Sequence, residues 1–70
     1  MSDTTALADV TREIQRTHPS AVYIGVAKGN HRAARFGLVL EFRVPYGEAV
    51  YGWRDDVSGD VVVSQDLPPS

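Results

Sequence analysis

The sequence predicts an α+β fold: an N-terminal helix packed on one face of a three- to four-stranded antiparallel β-meander, in the order α-β-β-β-β. Three observations predict it. Apolar residues recur at helical spacing as far as residue 17; from residue 22 the apolar period drops to two; and segments rich in Pro, Gly, Asn, Asp and Ser separate the periodic stretches.

Over residues 4–17, Leu7, Val10, Ile14 and Thr17 fall on one stripe, with Asp9, Arg12, Glu13 and Arg16 turned away from it. Ser2, Asp3 and Thr4 are candidate N-caps, and Arg16 and His18 suit the negative end of the helix dipole. Pro19 pushes His18 out of helical angles and predicts the end of the helix there.

The first strand is predicted from Val22, Ile24 and Val26 alternating with Tyr23, Gly25 and Ala27. The second has the clearest pattern, with Phe36, Leu38, Leu40, Phe42 and Val44 on the core side and Gly37, Val39, Glu41 and Arg43 on the other. After a turn at Pro45-Tyr46-Gly47, Ala49, Tyr51 and Trp53 alternate with Val50, Gly52 and Arg54 as a third strand. Asp56-Val57-Ser58-Gly59 reads as a turn into a short fourth strand at Val61–Val63. Residues 1–70 are expected to form one domain with flexible ends at 1–3 and 66–70.

One helix covers about three strands, so the reverse side of the sheet is expected to lie open. Tyr23, Val39, Val50 and Val62 are the candidates for it, and contiguous exposed apolar patches mark interfaces. Seventy residues also make a thin core, and with no cysteine the chain has neither a disulfide nor a thiolate metal site to reinforce it. Self-association is the reinforcement that remains, which makes a homodimer the expected assembly.

Three local clusters bear on chemistry. Lys28, His31, Arg32 and Arg35 lie in the segment predicted to link the first two strands, where they form a candidate anion or nucleic-acid contact. Tyr46, Tyr51 and Trp53 form a candidate aromatic platform, although large aromatics at this spacing also serve as core. Asp55-Asp56-Val57-Ser58-Gly59-Asp60 is rich in oxygen ligands but lacks the ligand spacing and distal glutamate of a calcium loop, so it reads as a turn. With His18 and His31 as the only histidines and no nucleophile or phosphate-loop motif, no enzyme activity, metal or cofactor is expected.

Two resemblances are limited. The helix-then-strands order resembles the first part of a double-stranded-RNA-binding domain, which closes with a further helix that has no counterpart here. The run from Val50 to Val62 resembles the last hairpin of PepSY-type domains over about a fifth of the chain, in a turn composition common to unrelated proteins.

The expected function is therefore that of a non-catalytic binding or regulatory protein acting by protein–protein contact. Small inhibitors, antitoxins and phage- or mobile-element-encoded regulators share this description. The alternative is binding of nucleic acid or a phosphate ligand through the basic loop. An acidic, polar N-terminus and the lack of a long apolar run predict a cytoplasmic protein without a membrane partner.

Overall fold

The computed structural model describes residues 3–29 and 31–68. The N-terminal periodicity forms helix α1 (Asp3–Thr17), and four strands follow: β1 (Val22–Val26), β2 (Ala34–Arg43), β3 (Ala49–Asp55) and β4 (Val61–Ser64). They make one open sheet in sequence order with every neighbour antiparallel, the meander that the sequence predicts. Among the described residues, no helix is long and apolar enough to cross a membrane.

The helix buries Val10 and Ile14 and half-buries Leu7, whereas Thr17, predicted on the same stripe, is exposed. Thr17 lies in the last turn, where its Oγ1 donates to the Ile14 carbonyl at 3.3 Å instead of packing inward. Of the candidate N-caps, Ser2 and the side chains of Asp3 and Thr4 lie outside the described residues, as do Asn30 and the chain ends 1–2 and 69–70.

Strand pairing fixes what sits on each face, because directly opposed residues share a side. Phe42 opposes Val50, and Leu40 opposes Gly52; with Val44, Val10 and Ile14 they form the core beneath the helix. Gly52 sets the position of α1. A Cβ at that residue would run into Val10 and come 2.8 Å from Ile14 Cδ1, so the helix sits directly on bare backbone. It therefore lies chiefly over β3 and β4, toward the side of the sheet away from β1. Arg54 adds a polar tie from the same strand, its guanidinium meeting the Asp9 carboxylate of the helix at 2.5 Å and donating to the Gly59 carbonyl.

The reverse face is not open as the sequence suggested. Val39 is fully buried, and it packs with Ala27, Ala34 and Trp53, flanked by half-buried Tyr51 and Val62, as a second core cluster. The chain supplies the cover itself, since the β1–β2 loop is drawn back by backbone hydrogen bonds from Ala27 to Val39, from Ala34 to His31, and from Asp56 to Ala33.

β2 also departs from its predicted alternation. Phe36 is 80% exposed rather than part of the core, because the strand changes register between Ala34 and Val39 and both Phe36 (φ 58°) and Gly37 (φ 69°) take left-handed angles. Two left-handed residues swing the side chain out before the inward pattern resumes at Leu38. For a bulky residue such angles cost about 1–2 kcal/mol, only partly offset by the Arg35 guanidinium over the ring at 5.6 Å. Phe36→Gly is therefore expected to hold or raise stability by up to about 1 kcal/mol, a few degrees in thermal melts, despite removing an aromatic ring. A loss of more than about 1 kcal/mol would mean that the ring packs on something.

Candidate functional site

The basic segment divides on folding. Lys28, Arg32 and Arg35 remain exposed, but His31 is 3% exposed and turned into the loop, where its Nε2 donates to the Lys28 carbonyl at 3.2 Å. The other ring nitrogen, Nδ1, is buried without a partner. The glycine at 29 makes room, its missing Cβ falling 3.3 Å from the imidazole. His31 is thus a structural residue of the loop rather than a member of an outward cationic cluster. The Ala33 carbonyl also accepts the Asp56 N–H, which ties this loop to the acidic β3–β4 turn.

In that turn Asp55 accepts backbone N–H bonds from Ser58 and Val57 at 2.9 and 3.0 Å, and these hold its carboxyl below the usual carboxylate range. A carboxylate occupied by its own turn is what the turn reading predicts. Among the described residues, no group of three His, Asp or Glu side chains could hold a metal.

The candidate aromatic platform does not assemble. Tyr46 is exposed at the β2–β3 turn, Tyr51 is half-buried, and Trp53 is buried in the second core with its indole N–H unpartnered. Beside Tyr46 lies a shallow cleft of about 150 Å3 between the end of α1 and the β2–β3 turn, with His18, Ser20 and Glu48 on its walls. That is half or less of the roughly 300–1,000 Å3 that small-molecule pockets occupy.

The four residues predicted to form an open apolar face separate as well. Val39 and Val50 are core residues on opposite sides of the sheet, and neither is available to a partner. Val62 is half-buried against the second cluster, and Tyr23 alone is exposed, its ring 5.4 Å from that of Phe42. The error lay in treating the sheet face as uniform, whereas burial here depends on which strand a residue occupies.

What does remain exposed is the edge strand. Val22, Tyr23, Ile24 and Val26 are 39–62% exposed, although β1 is among the most apolar stretches of the chain. Tyr23 opposes Phe42 and Val26 opposes Leu40 on the helix side, while Val22 opposes Arg43 and Gly25 opposes Glu41 on the reverse, and Ile24 is the extra residue of a bulge between them. The strand is bare on both faces. On one side the helix sits too far toward β4, and on the other the β1–β2 loop covers β2 and β3 instead. The sequence carried one signal for this, the absence of any charged residue from Val22 to Val26. No family model, curated protein or solved structure matches the chain.

Proposed function

We propose that this chain is a small non-catalytic binding or regulatory module that works by protein–protein contact, with β1 as its contact surface. One observation carries the reading: Val22, Tyr23, Ile24 and Val26, distributed over both sides of a charge-free edge strand, are all exposed. Exposed apolar surface of this kind costs solvation free energy, and its usual use is burial against another chain. An unpaired strand edge adds backbone donors and acceptors that a partner strand satisfies directly.

The phosphate-binding alternative has less support. It loses His31 to the loop interior, and the loop carrying the three remaining cations is hydrogen-bonded to the turn that holds Asp55, Asp56 and Asp60, whose charge opposes the positive field a polyanion needs.

The test is photocrosslinking in the host cell with benzoylphenylalanine placed at residue 24 or, as a control, at residue 57, whose valine is also exposed but lies in the β3–β4 turn. Position 24 is expected to give a discrete protein adduct, whether to a second copy or to a foreign chain, and position 57 is not. No discrete adduct at position 24, or identical adducts at both, would overturn β1 as the contact surface.

A further inference from the structure

We infer that the cleft between the end of α1 and the β2–β3 turn is a docking site for one basic side chain, a lysine or arginine of a partner protein. It does not depend on β1 being a contact surface. None of the seven Lys and Arg residues lines the cleft, and Glu48 is the one side chain on its walls with a fixed charge. The Gln65 amide approaches one oxygen of that carboxylate at 3.5 Å, and the other oxygen has no hydrogen bond among the described residues. The helix adds to the negative field. Thr17, His18, Pro19 and Ser20 all line the cleft, which places it at the negative end of the α1 dipole. Pro19 stands where a continuing helix would donate to the Gln15 carbonyl, and it has no N–H to give. Two cations close by in sequence do not cancel this field: Arg16 is ion-paired with Glu13 at 2.9 Å, and Arg43, alternating with the core residues Phe42 and Val44, faces away from the helix.

Size and lining select a side chain over a free ligand. A volume of about 150 Å3 is too small for most small molecules but holds a single extended side chain. Buried Val44 and Val50 line it together with Pro19 and Pro45, and a basic residue lays its methylene stem on such apolar surface while its charged head stays at the rim. The β2–β3 turn supplies partners for that head. The Gly47 N–H donates to the Val44 carbonyl at 2.9 Å and the Val44 N–H to the Glu48 carbonyl at 3.1 Å, so Tyr46 and Glu48 flank the left-handed Gly47 on a closed turn. Tyr46 is 85% exposed, and its ring offers a π face to the same cation that the Glu48 carboxylate attracts. An acidic side chain would meet two sources of negative potential here, and a neutral one would leave both without a counter-charge.

The test is a titration of the nitrogen-15-labelled full chain, followed by its amide resonances, with acetylated and amidated tripeptides that carry lysine, arginine or glutamine between two glycines. The lysine and arginine peptides are expected to give saturable shifts confined to residues 17–20, 44–50 and 65, with dissociation constants on the order of 1–10 mM, as befits one anchoring side chain. The glutamine peptide, which has neither charge nor a comparable stem, should not saturate. Glu48→Gln is expected to weaken both basic peptides about fivefold, and Tyr46→Ala about threefold. Both side chains are exposed, so the amide spectrum should show the fold retained in each variant, and either serves if the other does not fold. Failure of both basic peptides to saturate, equal binding of the glutamine peptide, shifts centred outside the cleft, or affinities indifferent to the substitution at Glu48 or Tyr46 would each overturn the inference.

Discussion

Phe42→Ala is expected to leave the chain largely unfolded at 25 °C. Phe42 is completely buried in the middle of β2, opposite Tyr23 on one side and Val50 on the other, within the cluster that α1 covers. Truncating a buried phenylalanine costs about 3–5 kcal/mol through lost transfer free energy and the cavity left behind. A single core in a chain of this size supplies about 3–5 kcal/mol in all, so one substitution removes essentially the whole margin. Neighbours cannot collapse into the space: Gly52 next to it has no side chain, and the Tyr23 ring is held at a tilt of 58° on the edge strand. Phe42→Leu keeps most of the volume and should remain folded with a lowered melting temperature. Thermal denaturation followed by far-ultraviolet circular dichroism decides the matter. A cooperative transition for Phe42→Ala within a few degrees of the native chain would show that this core does not carry the fold.

The same residue shows what the sequence can and cannot disclose. Leu40 and Phe42 were legible as core because alternation survives in the middle of a long strand. Phe36 belongs to the same written pattern and faces solvent, because a pair of left-handed residues reverses the alternation and nothing in Arg35-Phe36-Gly37 beyond the glycine announces it. Element order and approximate boundaries followed from local chemistry, such as His18-Pro19 at the end of the helix and Pro45-Tyr46-Gly47 between β2 and β3.

Site residues required information that is not local. Val39 was read as exposed on the assumption that a lone helix is the only available cover, yet the β1–β2 loop, itself read as an outward basic hairpin, folds back over it. The exposure of β1 has a similar origin. It follows from where α1 rests, which depends on one glycine two strands away. Of the four residues expected on an open face, one on each strand, Tyr23 on β1 is exposed, whereas Val39 and Val50 are buried and Val62 is half-buried.

That glycine is the second position where a small change should have a large effect. Gly52→Val is expected to lower stability by about 3 kcal/mol or more, the upper range for overpacking, because the added Cβ alone enters the space of Val10 and Ile14 before either γ-methyl is counted. Neither neighbour can yield easily, since both are fully buried and Val10 has a stiff, β-branched side chain. The helix would have to rise from β3, straining the Asp9–Arg54 ion pair and thinning the contact with Val61 and Val63 together. The milder Gly52→Ala gives the more discriminating measurement. If its cost arises from collision with Val10, then trimming that partner should relieve it, so Gly52→Ala combined with Val10→Ala should destabilise less than the sum of the two single changes by about 1 kcal/mol or more. Urea denaturation of the four proteins closes the cycle. Simple additivity would mean that the helix does not rest on Gly52, and with that the reason for β1 standing uncovered would be lost.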